Sequence, residues 1–139
     1  MQLTTYLAFN GECRAAFEMY ERVLGGKIVF MMTQGESPMG EKTPPEWKDK
    51  IMHASLQTPG GLIQGADHPL GRKVEPAGFC VSVQVDEKAE AERIFKAMAQ
   101  GGKTQMEFQQ TFWSPGFGMC IDKFGVPWMV NTAGAMGGA

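Results

Sequence analysis

Apolar residues recur at helical spacing in two segments of this chain, and a pair of glycines follows each segment. The first segment, residues 13–24, places its apolar residues on one helical face: Ala16, Phe17, Tyr20, Val23 and Leu24. The second, residues 88–100, does the same with Ala91, Ile94, Phe95 and Met98. Each pattern predicts an amphipathic helix that ends at its glycine pair, because glycine readily adopts the left-handed conformation common at helix ends.

Short apolar or alternating runs flank both helices and predict β-strands. Four of them belong to the first half of the chain, at residues 3–9, 27–32, 51–58 and 62–66. Four more belong to the second half, at residues 79–85, 105–113, 117–121 and 126–131. The order strand, helix, strand, strand, strand therefore occurs twice, and the glycine pairs at 25–26 and 101–102 are 76 residues apart. This internal repeat predicts two tandem βαβββ modules.

The repeat divides the chain into four parts. The first module covers residues 3–67 and the second covers residues 79–131, with a linker at 68–78 that contains proline and glycine. Residues 132–139, which are mostly Ala, Gly and Met, are predicted to form a flexible tail. A length of 139 residues suits a single domain built from the two modules.

Composition and charge exclude several classes of function. The net charge is −2 and no cluster of Lys or Arg marks a nucleic-acid surface, so we expect no nucleic-acid partner. No apolar stretch is long enough to cross a membrane, and the N-terminus lacks the pattern of a signal peptide. Cys13, Cys80 and Cys120 are far apart and form no CxxC pair. These features predict a cytoplasmic protein with reduced thiols.

Several local stretches, taken in order, carry a resemblance to a known family. They are Tyr6-Leu7-Ala8-Phe9-Asn10-Gly11, Leu24-Gly25-Gly26, residues 47–54 (WKDKIMHA), Thr111-Phe112-Trp113, Phe117-Gly118-Met119 and residues 122–128 (DKFGVPW). Together they resemble the PhnB-like branch of the vicinal oxygen chelate superfamily, which includes glyoxalase I, the bleomycin-resistance proteins and extradiol dioxygenases. The resemblance implies an α+β fold whose two βαβββ modules curl their mixed sheets into a cup-shaped half-barrel. It also implies a homodimer.

In the metalloenzymes of that superfamily, a divalent ion in the cup is held by residues of the first and last strands of each module. The resemblance places these positions at Thr5, Cys80, Gln64 and Met129 of this chain. Ions such as Zn²⁺, Mg²⁺ and Mn²⁺ prefer imidazole nitrogen and carboxylate oxygen as ligands. We therefore expect the usual metal site to be degenerate, with no metal-binding residues and no cofactor.

The resemblance makes the inner surface of the cup the expected ligand site. Six residues are candidates for contacting a small organic molecule there: His53, Gln64, Phe112, Trp113, Trp128 and Trp47. His53 is either a general base or hydrogen-bond donor that faces the cup, or a satisfied histidine inside the barrel or at an interface between modules. The aromatic residues either line a pocket, which is mostly apolar for such ligands, or fill the core. Trp47 has polar neighbours in a long loop at 33–50, which favours a lid or a dimer contact.

Three functions remain open, and no catalytic residue is assigned. The first is a metal-free protein that binds a small organic molecule, in the manner of the bleomycin-resistance proteins. The second is an enzyme, either a lyase, isomerase or dioxygenase with atypical metal ligands or a metal-free enzyme that uses His53. The third is a non-catalytic dimeric scaffold with a filled cup. Proteins that resemble this chain sometimes carry a demethylubiquinone methyltransferase label, but no glycine-rich cofactor loop follows the first strand.

Overall fold

The structure, a computed structural model, describes residues 1–68 and 75–133. Contacts within the chain divide it into two units, Met1–Val74 and Glu75–Ala139. Most of the predicted linker and most of the predicted tail, at 69–74 and 134–139, lie outside the described residues.

Unit 1 is a four-stranded mixed sheet that packs against a helix. In chain order its elements are β1 (Thr5–Phe9), α1 (Cys13–Leu24), β2 (Lys27–Thr33), β3 (Ile51–Thr58) and β4 (Gly61–Asp67). The strand order across the sheet is β1-β4-β3-β2. β1 runs parallel to β4, and the other neighbouring strands are antiparallel. This is the predicted βαβββ module.

Unit 2 repeats the same plan. Its elements are β5 (Val81–Val85), α2 (Lys88–Ala99), β6 (Lys103–Gln109), β7 (Phe117–Ile121) and β8 (Pro127–Thr132). The strand order is β5-β8-β7-β6, again with the first and last strands of the unit parallel. The predicted α+β class and its repeated module are therefore confirmed. In the described part of the chain, neither helix is long and apolar enough to cross a membrane.

The two glycine pairs have the same structural role in both units. Gly25 and Gly101 have φ angles of 70° and 77°, which side chains rarely tolerate. A Cβ on Gly26 would come within 2.6 Å of a carbonyl oxygen of β3, and one on Gly102 would clash with a carbonyl oxygen of β7. The first glycine thus turns the chain after the helix, and the second lets the next strand approach its neighbour. This explains why the pair recurs 76 residues later.

The core of each unit lies between its helix and one side of its sheet. In unit 1, the Phe9 ring of β1 lies 6.0 Å from Phe17 and 6.5 Å from Tyr20 on α1. In unit 2, Phe95 of α2 lies 5.8 Å from the Phe108 ring of β6. Burying such side chains is the main source of stability for a sheet packed on a helix. The opposite side of each sheet, which its own helix does not cover, is called the distal face of that unit.

Among the predicted boundaries of unit 2 that differ from the structure are the end of β6 and the start of the predicted tail. The strand predicted at 105–113 ends as β6 at Gln109, because two register shifts against β7 bend it and a turn follows. Phe112 and Trp113 consequently lie in a loop rather than on a strand. At the other end, Thr132, which was predicted to begin the tail, still belongs to β8, and its N–H donates to the Gly116 carbonyl.

The loop predicted at 33–50 is folded on itself. It contains two 3₁₀ turns, Gly40–Lys42 and Pro45–Trp47. Its ends are joined by a hydrogen bond from the Gln34 N–H to the Lys50 carbonyl at 2.8 Å. Trp47 is only 9% exposed, which differs from the surface lid or partner contact expected from its polar neighbours. The turns bury the indole even though the adjacent residues are polar.

Candidate functional site

The distal face of unit 1 carries one residue from each strand in lateral register. Tyr6 of β1 pairs with Gln64 of β4, Gln64 pairs with Ser55 of β3, and Ser55 pairs with Phe30 of β2. Gly65, the neighbour of Gln64, faces α1, where a Cβ would lie 3.0 Å from an aromatic ring of the helix. Alternation along the strand therefore places Gln64 and its partners on the distal face. These four residues are called the unit 1 row.

Polar side chains of this face form a continuous hydrogen-bonded chain. Thr4 Oγ1 donates to Gln64 Oε1 at 3.1 Å, and Gln64 Nε2 donates to Ser55 Oγ at 3.3 Å. His53 extends the chain, since its Nε2 lies 3.3 Å from Ser55 Oγ and its Nδ1 lies 3.0 Å from the Tyr6 hydroxyl oxygen. Both ring nitrogens of His53 are engaged, so the tautomer of the ring is coupled to the orientation of two hydroxyl groups.

Two aromatic rings flank His53. The ring centroid of Tyr6 lies 5.6 Å from that of His53, and the centroid of Phe30 lies 5.7 Å from it. Tyr6 is 53% exposed and Phe30 is 44% exposed, so both rings are accessible. Partial burial, with a smaller effect of Cys13, raises the pKa of the Tyr6 hydroxyl above its ordinary value. The phenol is therefore protonated at neutral pH and is able to donate to His53 Nδ1.

A buried carboxyl group holds the strand that carries His53. Asp67 Oδ2 accepts a hydrogen bond from the Ile51 N–H at 2.8 Å, and Asp67 Oδ1 accepts one from the Cys13 N–H at 2.9 Å. These bonds join the end of β4 to the starts of β3 and α1. Burial, followed by the charge of Asp67, raises the pKa of the Cys13 thiol far above its ordinary value. Cys13 is thus a protonated core thiol and not a nucleophile.

Three of the four corresponding positions of unit 2 carry methionines, and the fourth carries Ser82. Met106 of β6 and Met129 of β8 are both direct register partners of Met119 on β7, and Ser82 of β5 is the partner of Met129. Gly118, next to Met119, faces α2, where a Cβ would lie 2.7 Å from an aromatic ring of the helix. The methionines therefore lie on the distal face of unit 2. Met106, Met119 and Met129 are called the methionine row.

The residues at these positions do not fit the divalent ion implied by the superfamily resemblance. The two rows offer hydroxyl, amide and thioether groups, whereas Zn²⁺, Mg²⁺ and Mn²⁺ prefer imidazole and carboxylate ligands. Within residues 1–68 and 75–133, no three His, Cys, Asp or Glu side chains gather closely enough to hold a metal ion. Of the four inferred positions, Gln64 and Met129 lie on distal faces. Thr5 pairs with Ile63 on the helix-facing side, and Cys80 precedes β5.

The six candidate residues from the sequence occupy different environments. The structure brings His53 and Gln64 into the same hydrogen-bonded chain of unit 1. Trp128 is fully buried in unit 2, and its Nε1 donates to Asp122 Oδ2 at 2.9 Å. In the structure this side chain belongs to the core, which is one of the two environments that the sequence left open. Trp47 is likewise buried within the loop of unit 1.

The other two candidates form an aromatic cluster in unit 2. Phe112 is 86% exposed, and its ring lies 4.8 Å from Trp113 in an edge-to-face contact. Trp113 in turn lies 5.2 Å from Phe117, which follows the loop at the start of β7. The cluster therefore presents an accessible aromatic surface at one end of β7.

Sequence reasoning missed Tyr6, Ser55 and Phe30 as site residues. Tyr6 and Ser55 lie on strands that were predicted, but their proximity to His53 depends on which residues pair across the sheet. β2 also has an irregularity between Ile28 and Phe30, which changes the face on which Phe30 lies. The alternation of side chains along the strand around Tyr6 was the available signal for a site residue. Using it required knowing which residues pair across the sheet.

Comparisons with known proteins agree with this architecture. The model of the 3-demethylubiquinone-9 3-methyltransferase family matches residues 1–131. Protein YjdN of Escherichia coli K12 is 35% identical over 140 residues, covering 95% of both chains. The solved structure of protein PA1353 from Pseudomonas aeruginosa is 47% identical, with a TM-score of 0.86 over 95% of this chain and 97% of that one.

More distant structures share the fold. A putative 3-demethylubiquinone-9 3-methyltransferase, PhnB protein, from Bacillus cereus is 24% identical with a TM-score of 0.80, over 96% of this chain and 100% of that one. A glyoxylase/bleomycin resistance protein/dioxygenase domain from Frankia is 14% identical with a TM-score of 0.61, over 96% and 95% of the two chains. The fold is therefore that of the vicinal oxygen chelate proteins.

Proposed function

This chain belongs to the 3-demethylubiquinone-9 3-methyltransferase family, and we propose that it binds a small organic molecule on the distal face of unit 1. The observation that supports this proposal is the hydrogen-bonded chain from Thr4 to Tyr6, in which His53 links the Ser55 and Tyr6 hydroxyls. A sheet surface that had only to meet solvent would not need five linked polar side chains of this kind. Linked polar groups hold one another in fixed orientations, which is the condition for selective binding.

The chemistry of the face favours a ligand that is both planar and polar. Tyr6 and Phe30 are exposed rings that can stack on an aromatic or unsaturated group. His53, Ser55 and Gln64 between them offer hydrogen-bond donors and acceptors to hydroxyl, amide or carbonyl groups. We assign no role to a divalent metal there, because the donor groups do not fit one.

A second candidate function is metal-free acid–base catalysis by His53. Its two ring nitrogens lie within hydrogen-bond reach of the Tyr6 and Ser55 hydroxyls, so a proton could pass along this chain of groups. Methyl transfer, which the family name describes, has no cofactor loop in the sequence to support it. A non-catalytic scaffold role predicts that no small molecule binds at this face.

Fragment binding monitored by saturation-transfer-difference NMR tests the proposal. The probes are planar aromatic molecules that carry a hydroxyl, amide or carboxyl group. Each hit is then titrated against three variants: Tyr6→Phe, His53→Gln and Ser82→Ala. Tyr6→Phe removes the hydroxyl and keeps the ring, and we expect it to weaken binding by about three- to tenfold, the effect of one hydrogen bond.

The matched control is Ser82→Ala, since Ser82 occupies the position in unit 2 that Tyr6 occupies in unit 1. We expect His53→Gln to weaken binding by about tenfold or more and Ser82→Ala to leave it unchanged. Hits that bind the Tyr6 and His53 variants as tightly as the unaltered protein would contradict the proposal. If the unaltered protein chemically converts a hit and only His53→Gln abolishes the conversion, the result would favour catalysis over binding.

We further propose that the protein acts in the cytoplasm as a homodimer, in keeping with its superfamily. Cys13, Cys80 and Cys120 are free thiols, as a reducing compartment requires. Multi-angle light scattering measures the mass of the particle in solution directly. A mass close to twice 15.2 kDa supports the dimer, whereas a single-chain mass contradicts it.

A further inference from the structure

We propose that the methionine row of unit 2 is a binding site for a soft monovalent cation of the copper(I) and silver(I) class. The row consists of Met106, Met119 and Met129, one on each of three consecutive strands. This proposal concerns a different unit and a different chemistry from the ligand site on unit 1, so the failure of one proposal would not contradict the other.

Strand register places the three thioethers side by side. Met119 is the direct partner of Met106 on one side and of Met129 on the other, and direct partners in antiparallel strands point to the same face. Their Cβ atoms are roughly 4.5–5.5 Å apart in such pairs. Each methionine has three rotatable side-chain bonds, so both outer sulfur atoms can turn toward the central one. A single ion above Met119 is then within reach of three sulfur ligands.

The methionine row is exposed enough for a small ion to reach it, yet it is partly shielded from solvent. Met106 is 37% exposed, whereas Met119 and Met129 are half-buried. An ion can therefore enter from the side of Met106 and lose much of its water at the other two residues. No conformational change of the sheet is required for this step.

The donor chemistry selects the cation. Thioether sulfur is a soft ligand that suits copper(I), whereas Zn²⁺, Mg²⁺ and Mn²⁺ prefer harder nitrogen and oxygen donors. The corresponding positions of unit 1 hold Gln64, Ser55 and Phe30, so the repeat itself does not require methionine there. The thioethers are neutral, and a monovalent ion brings a smaller charge to the partly buried face than a divalent one does.

Silver(I) is the first probe, because it is not oxidised in air and binding involves no redox step. The titration uses chloride-free buffer, native mass spectrometry for stoichiometry and NMR of ¹³C-labelled methionine methyl groups for location. All proteins carry Cys80→Ser, since Cys80 is a half-buried free thiol that would itself attract silver. We expect one silver ion per chain and shifts of the Met106, Met119 and Met129 methyl signals.

The discriminating variant is Met119→Leu, and its matched control is Met39→Leu. Met39 is an exposed methionine in the 33–50 loop of unit 1. Exchange of methionine for leucine conserves volume and is well tolerated in packed surfaces, so both variants should remain folded, as circular dichroism can verify. We expect Met119→Leu to weaken silver binding by about tenfold or more and Met39→Leu to leave it unchanged.

Copper(I) should bind the variants in the same order of affinity as silver(I) does. It is delivered anaerobically, in competition with bicinchoninate. Absence of silver binding, or equal binding by the Met119 variant and its parent, would overturn the proposal. So would methyl shifts confined to methionines outside the row. In any of these cases the row would be an adaptable apolar surface, which is the other common use of methionine.

Discussion

Removing the Asp122 side chain should destabilise unit 2 more than any surface change. Asp122 is buried, and its Oδ1 accepts hydrogen bonds from the Phe124 and Val126 N–H groups at 2.9 and 3.0 Å. Its Oδ2 accepts from the buried Trp128 indole at 2.9 Å. In Asp122→Ala these donors lose that acceptor. Loss of a hydrogen bond from a buried donor costs about 1–3 kcal/mol, and its loss from the partly exposed Phe124 N–H costs less.

The combined expectation for Asp122→Ala is a loss of about 3–6 kcal/mol in the free energy of unfolding. This is a large part of the roughly 5–15 kcal/mol that stabilises a typical domain. Asp122→Asn keeps one oxygen acceptor, so it should lose about half as much. Urea unfolding, followed by tryptophan fluorescence and by circular dichroism, measures both losses by linear extrapolation.

The control for Asp122 is Asp49→Ala, which removes a carboxyl group from an exposed position. That change should alter the unfolding free energy by no more than about 0.5 kcal/mol. If Asp122→Ala costs less than about 1 kcal/mol, the buried hydrogen bonds do not hold the β7–β8 turn as argued. If the two probes give different midpoints, the two units unfold separately, and the loss should then appear only in the transition of unit 2.

Two further predictions concern the repeat and the buried thiol. Gly102→Ala should cost about 1–3 kcal/mol because its Cβ would clash with a carbonyl oxygen of β7. Gly60→Ala should cost less than about 1 kcal/mol, because its Cβ would meet only the Thr58 hydroxyl at an ordinary 3.8 Å. Similar costs of the two changes in urea unfolding would contradict the repeat argument. Burial, followed by the charge of Asp122, raises the pKa of the Cys120 thiol to about 11 from an ordinary value of 9.0. The stability that this thiol contributes is complete below pH 9.0 and is lost as the pH rises through 11. The free energy of unfolding should therefore fall with pH over that interval in the parent protein, and it should fall less steeply in Cys120→Ala. Identical slopes in the two proteins would argue against the raised pKa.

The repeated architecture could be predicted because its signals are local. Helical spacing marked both helices, and the glycine pairs marked their ends with a period of 76 residues. The structure shows the physical reason, since Gly25 and Gly101 both have positive φ angles and the next glycine in each pair meets the backbone of a neighbouring strand. Such constraints depend on a few consecutive residues, so they can be recognised without knowing the tertiary structure.

The candidate site could be predicted only in part. His53 and Gln64 were identified from their strands, whereas Tyr6, Ser55 and Phe30 required the pairing of β1, β4, β3 and β2. A shift of one residue in that pairing would move each side chain to the other face. Trp128 shows why the sequence left its environment open, because an aromatic residue on a strand has the same local pattern whether it faces a ligand or the core.

Periodicity, together with glycine at strained positions, is enough to define the two βαβββ modules, their helices and the turns that end them. Which side chains share a face depends instead on how the strands pair across each sheet. The register shifts in β2 and β6 align Phe30 with Ser55 and Met106 with Met119. Those shifts are properties of the pairing between two neighbouring strands, and no pattern of residues within one strand encodes them.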